Sequence, residues 1–173
     1  MAKYRISKYS PNYRNGEGIY TIDDWTSYSD IGKKYGGEKF TIEKYYEVEK
    51  NYGIIVEAIL QDNGIEEVVV EELELNFTVH ELKYLLGIKG LLLSNSNIKL
   101  IDNLKNGSII PRNALKEVIS LILRECFWCK LVSENHQFLI EFGYDLYVYV
   151  TCDILSDEMI QRAEKIGIYI ENL

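Results

Sequence analysis

The sequence predicts an α+β fold: a mainly antiparallel sheet with two main helices and a short C-terminal helix packed on it. Two stretches, 41–64 and 111–124, repeat apolar residues at helical spacing between capping residues. Three short β-rich segments separated by turn residues follow between 127 and 151. Across 173 residues there is no internal repeat, low-complexity tract or linker, so residues 1–173 read as one domain. A chain of that length buries about 70% of the surface its unfolded form exposes.

The first forty residues carry Tyr4, Tyr9, Tyr13, Tyr20, Tyr28, Tyr35 and Trp25 among glycines and polar residues, and read as strand and ordered loop. Lys3, Arg5, Lys8 and Arg14 all precede the first acid, Glu17, making this end locally basic. Ser27 and Asp30 have capping-box spacing, and Gly36-Gly37 would end a helix of two turns. Thr41 then caps a long helix, with Phe40 and Tyr45 as a hydrophobic staple and Asn63-Gly64 as its exit. Residues 67–75 read as a strand with Val69, Leu73 and Leu75 on one face and Glu72 and Glu74 on the other.

Thr78-Val79-His80-Glu81 is a complete capping box, with Phe77 and Leu82 as its staple, starting a short helix to Leu86. Residues 91–110 suggest one or two short strands, around Leu91–Leu93 and Ile98–Ile101. Pro111 suits a first helical position, and Leu115, Val118, Ile119, Ile122 and Leu123 form the stripe of the second main helix. Phe127–Val132, Phe138–Phe142 and Leu146–Thr151 follow as a meander. Ser156 caps a final helix that Gly167 stops, before a closing strand at Ile168–Ile170.

Charge narrows the function classes. A net charge of −8 and a pI near 4.9 repel phosphate backbones, so no nucleic-acid partner is expected, while encounter with a basic protein is favoured. No apolar run approaches the roughly 18 residues of a membrane span, and Met1-Ala2-Lys3-Tyr4-Arg5 does not lead into a secretory signal. A cytoplasmic protein without membrane association is expected. Three cysteines fit reduced thiols better than a disulfide framework.

Several constellations bear on chemistry. Cys126 and Cys129 have CxxC spacing, and His136 and Cys152 would complete four zinc ligands if the meander gathered them. Within an extended strand, however, that pair points to opposite faces, so buried thiols and no cofactor are expected. His80 and His136 lie in no nucleophile-activating motif, and neighbouring carboxylates such as Glu71-Glu72 on a strand point apart. Gly16-Glu17-Gly18 and Gly32–Gly37 match neither a dinucleotide fingerprint nor a P-loop. Fourteen tyrosines against five phenylalanines suit partly wet surfaces and protein interfaces. Glu72, Glu74, Asp145, Tyr147 and Tyr149 are the expected partner-binding residues, with Asp145, Tyr147, Tyr149 and Thr151 on one strand face.

In general character, small, acidic, tyrosine-rich and free of catalytic motifs, the chain resembles bacterial immunity proteins of contact-dependent and polymorphic toxin systems. The segments Tyr4-Arg5-Ile6-Ser7-Lys8-Tyr9-Ser10-Pro11, Trp25-Thr26-Ser27-Tyr28-Ser29-Asp30-Ile31-Gly32 and Phe142-Gly143-Tyr144-Asp145 look like pieces of uncharacterised bacterial proteins, and none is a defining motif. The likeness is one of style along the chain, and no family residue maps onto a position here. It implies a non-enzymatic inhibitor that binds a basic toxin, such as a nuclease, one to one. A phage-type counter-defence protein would use the same physics, and a zinc-dependent or other small enzyme built on Cys126, Cys129, His136 and Cys152 is the alternative from another class.

Overall fold

A computed structural model describes residues 1–173 and gives an α+β fold with a mainly antiparallel sheet. In chain order the elements are β1 (Ala2–Ser7), β2 (Lys34–Tyr35), β3 (Glu38–Lys39), α1 (Ile42–Asp62), β4 (Glu67–Glu74), α2 (Val79–Ile88), α3 (Asn95–Asn103), β5 (Ile109–Pro111), α4 (Leu115–Leu123), β6 (Trp128–Val132), β7 (Leu139–Phe142), β8 (Val148–Cys152), α5 (Asp157–Lys165) and β9 (Tyr169–Asn172). Seven strands form one sheet in the order β5-β4-β6-β7-β8-β1-β9, every neighbouring pair antiparallel, and β2 pairs with β3 as a separate hairpin. The meander β6-β7-β8 stands where its turn residues predict it. No helix is long and apolar enough to cross a membrane.

Alternation divides the sheet into a core face and an open face. Val68, Val70, Cys129, Leu131, Ile140, Val148, Val150 and Ile6 are buried together with residues of α1 and α4 in one apolar cluster. The intervening positions carry a row of registered residues across the open face, Glu71 opposite Lys130, Glu141 opposite Tyr149, and Tyr149 opposite Arg5, which faces Glu171.

The central helix α1 starts as its sequence dictates. The Thr41 hydroxyl accepts from the Lys44 amide at 3.3 Å, and Phe40 and Tyr45 are buried on either side, with Trp25 stacked on Phe40 at 4.1 Å. Gly53 admits α4: a Cβ there would stand 3.2 Å from Lys116 Cγ. Farther along, Tyr52, fully buried, accepts from the Lys8 amide at 2.8 Å and donates to the Leu146 carbonyl at 2.7 Å. One hydroxyl thereby joins α1, the chain leaving β1, and the turn entering β8.

Several expectations are corrected. Ser27 caps only the single 3-10 turn Tyr28–Asp30, because Asp30 turns its carboxylate back to the Thr26 amide at 2.9 Å and to Lys33 at 2.6 Å instead of extending a helix. Residues 95–103 are helical rather than extended: Ser94 and Asn97 form a reciprocal capping box, in which a short amide takes the role usually given to Glu or Gln. In β4 the buried residues are Val68 and Val70, not Val69. A bulge at Glu72, with φ 50°, shifts the register so that Glu74 comes opposite Trp128 and Leu73 packs against the core. Pro111 ends β5, and a 3-10 turn, Arg112–Ala114, separates it from α4. Phe77, ahead of the Thr78 cap, is 43% exposed, while Leu82 is buried.

Replacing Tyr52 by Phe leaves the part-buried Lys8 amide and the buried Leu146 carbonyl without their partner, which costs about 1–3 kcal/mol. Urea denaturation of Tyr52→Phe is expected to show a lower midpoint at unchanged slope; an unchanged midpoint would show that the bridge contributes nothing.

Candidate functional site

Four chain segments meet at one end of the sheet. The end of β4 and residues 74–77, the junction of α4 with β6, the turn between β7 and β8, and Thr26-Ser27 of the N-terminal segment enclose a cleft of about 590 Å³. Glu74, Glu125 and Asp145 supply carboxylates, and Phe77, Phe127, Trp128, Tyr144 and Tyr147 supply aromatic surface. No Lys, Arg or His lines it.

The backbone of the cleft is held in unusual conformations. Glu125, Asp145 and Leu146 have φ of 58°, 56° and 63°. Asp145 and Leu146 are the two central residues of a tight turn closed by Tyr147 N donating to the Tyr144 carbonyl at 3.1 Å. Aspartate tolerates that conformation, whereas leucine there costs about 1–2 kcal/mol. Leu146 is held by burial of its side chain and by the Tyr52 hydroxyl on its carbonyl. Trp128 Nε1 donates to the Phe142 carbonyl at 2.6 Å, fixing the indole. Tyr144 stands 93% exposed at the rim.

Glu125 is exposed overall, but partial desolvation at the cleft raises its carboxyl above the ordinary range, and the neighbouring Asp145 and Asp30 charges push it the same way. Burial likewise raises the Cys126 thiol, which lines the cleft, to about 12, so it is not a thiolate nucleophile at neutral pH.

The open face of the sheet is different, because Glu72, Glu141 and Glu171 there are paired, leaving Glu71 without a partner. Glu141 accepts from Lys3 at 2.7 Å and Glu72 from Lys130 at 2.8 Å. Glu171 accepts from both Arg5 and Arg14, with shortest contacts of 2.9 and 3.1 Å. Although burial alone would raise the Glu171 carboxyl, the bonds from Arg5 and Arg14 hold it below the usual range. The basic N-terminal residues are thus consumed internally. Lys8 completes the set: it lies 4.1 Å from the Trp25 ring centroid and bonds Asp24 at 2.5 Å, and burial lowers it to about 8.

Of the expected partner-binding residues, the fold brings Glu74, Asp145 and Tyr147 to the cleft and leaves Glu72 and Tyr149 outside it. Glu72 sits at the bulge against Lys130. Tyr149 lies on the open face with Lys3 5.2 Å from its ring centroid. The expected continuous tyrosine face is interrupted, since Tyr147 is flanked by Arg5 and Arg14 at 5.6 and 5.7 Å and packed by Tyr9 at 5.2 Å. Glu125, Phe77 and Trp128 are cleft residues that sequence reasoning missed. Glu125 lies in the junction between α4 and β6, and nothing local marks it as unpaired.

The alternative zinc set is not assembled. Cys126 lies at the cleft end of β6, while Cys152 ends β8 and His136 occupies the β6–β7 turn, both toward the opposite end of the sheet. No three His, Cys, Asp or Glu side chains form a group able to hold a metal ion. Cys126, Cys129 and Cys152 are all free and buried.

The Glu125 shift has a definite sign. A carboxyl raised in the folded state opposes folding above its folded pKa and has no effect below its ordinary value of 4.5. Glu125→Gln is therefore expected to match the parent protein's stability near about pH 4 and to exceed it at neutral pH. Urea midpoints for both proteins across that range test this, and a difference independent of pH would remove the assigned desolvation effect.

Comparison with protein-family models, with curated proteins and with solved structures finds no match to this chain.

Proposed function

We propose that this protein is a non-enzymatic binding protein that inhibits a basic protein partner, in the manner of a bacterial immunity protein neutralising its cognate toxin. The observation that carries this reading is the cleft, where three carboxylates free of any ion pair stand among aromatic side chains with no cation lining the space. Such a surface attracts a basic partner at long range, and its aromatic rings supply the buried anchors that slow release. The exposed rings of Tyr144 and Phe77 at the cleft suit the same role. A standard interface takes about 800 Å² from each partner, less than a tenth of this chain's 9451 Å² surface. A nuclease is a natural basic target, because its own substrate-binding face is built to hold phosphate. A phage-encoded inhibitor of a host defence protein would present the same physics.

Affinity capture with the tagged chain from its native cells at moderate salt, followed by mass spectrometry, is expected to recover one basic protein in stoichiometric amount. Its toxicity should be suppressed by co-expression of this chain, and its retention should weaken as salt is raised. Recovery of nothing above background, or of a partner that is itself acidic, would overturn the reading.

A further inference from the structure

The cleft does not end at its own rim. Phe77 also lines a shallower hollow on α2, together with His80, Glu81, Tyr84 and Leu85. Tyr84 is 69% exposed and Phe77 43% exposed. The two concavities share one ring, so Phe77 borders both, with Tyr144 at the far rim of the first and Tyr84 in the second.

The carboxylates of the cleft contrast with those bonded inside the fold, and they differ from the other unpaired acids in sharing one concavity with aromatic side chains. Glu49, Glu141 and Glu171 each have an Arg or Lys partner in the fold. Glu74, Glu125 and Asp145 have none, although Arg14 and Arg124 lie near the cleft. Those two are committed: Arg14 bonds Glu171, and Arg124 bonds Glu49 through two contacts of 2.8 and 2.6 Å. The cleft therefore carries uncompensated negative charge beside aromatic faces. A planar guanidinium fits that combination better than an ammonium, because it stacks on rings and bonds carboxylates through a fork of donors.

We propose that the surface from the cleft over Phe77 to Tyr84 docks a basic segment of the partner protein, with an arginine side chain seated in the cleft among Glu74, Glu125 and Asp145 and an adjacent apolar side chain on the α2 hollow. This rests on the partner-binding reading above and specifies the partner's chemistry. The occupant follows from charge complementarity: the aromatic wall alone would accept any apolar segment, and the three unpaired carboxylates select a cationic one.

The test uses the full chain and defined peptides. Acetyl-Arg-Gly-Leu-amide and its citrulline counterpart, which keeps the shape of arginine without its charge, are titrated to about 20 mM while backbone amides are followed by NMR; millimolar affinity corresponds to about −4 kcal/mol. The arginine peptide is expected to shift the amides of Glu74, Glu125 and Asp145, together with Phe77 and Tyr84. Citrulline, or the double variant Glu125→Gln with Asp145→Asn, should weaken binding about tenfold, a loss of about 1.4 kcal/mol. Asn keeps the left-handed turn at position 145, so the variant preserves the backbone. Tyr84→Ser should lower affinity several-fold while the cleft amides still respond. Equal binding of citrulline, no cleft response at the highest concentration, or unaffected binding by Tyr84→Ser would overturn the proposal. Peptide binding with an empty affinity capture would fell the inhibitor reading alone; a captured basic partner with no peptide response would fell the arginine seat alone.

Discussion

The buried hydroxyl of Tyr52 is the constraint on which the arrangement of the molecule depends. It bonds the Lys8 amide and the Leu146 carbonyl at once, so the rotation of α1 about its axis is tied both to the exit of β1 and to the entry of β8. β1 and β8 are neighbours in the sheet, and their register through Ile6 opposite Val148 leaves little freedom for either contact to shift alone. Because Leu146 belongs to the turn that carries Asp145, a residue deep in the core helps to set the position of a carboxylate at the surface.

Electrostatics divides the molecule into a compensated and an uncompensated part. Across the open face, acids and bases from β1, β4, β6, β7 and β9 neutralise one another, and the Arg5–Glu171–Arg14 cluster lies largely out of solvent. Partly buried pairs of this kind hold chain segments in place, since removing one member strands the other charge. Exposed pairs such as the Met1 amino group with Asp153 contribute little to stability. Three of the acids that this internal pairing leaves without a base, Glu74, Glu125 and Asp145, line the cleft, where desolvation and the Asp145 and Asp30 charges act on Glu125. The N-terminal segment serves this division: its basic residues, which make that end locally basic in the sequence, are clamps on Asp24, Glu141 and Glu171.

Strain is confined in a comparable way. Of the five non-glycine residues with positive φ, Glu125, Asp145 and Leu146 line the cleft. Backbone held in sparsely populated conformations persists where the surroundings over-determine it, and it collects at sites of function. Here the surroundings are identifiable: the Tyr52 bond and the burial of Leu146 on one side, and the last turn of α4 on the other, where the Glu125 amide donates to Ile122 and the Cys126 amide to Leu121.

Elements written in local chemistry were legible from the sequence. Thr41 with Phe40 and Tyr45 marked the start of α1, Asn63-Gly64 its end, Thr78 and Glu81 the capping box of α2, and the turn residues around 133–136 and 143–145 the meander. Local chemistry misled where two patterns overlapped. Ser94 and Asn97 cap α3 with an amide too short to stand out, and the bulge at Glu72 breaks the alternation that assigned the faces of β4.

What the sequence by itself determined is the α+β class, the main helices and the meander, because caps, turns and apolar periods act over a few residues. The cleft was decided only by tertiary structure. Whether a carboxylate is paired depends on partners far along the chain, 75 residues for Glu49 and Arg124, 138 for Lys3 and Glu141, 166 for Arg5 and Glu171. Glu74, Glu125 and Asp145 look like any other acids in the sequence, and they become a site because folding brings them together at the end of the sheet and brings no base to meet them.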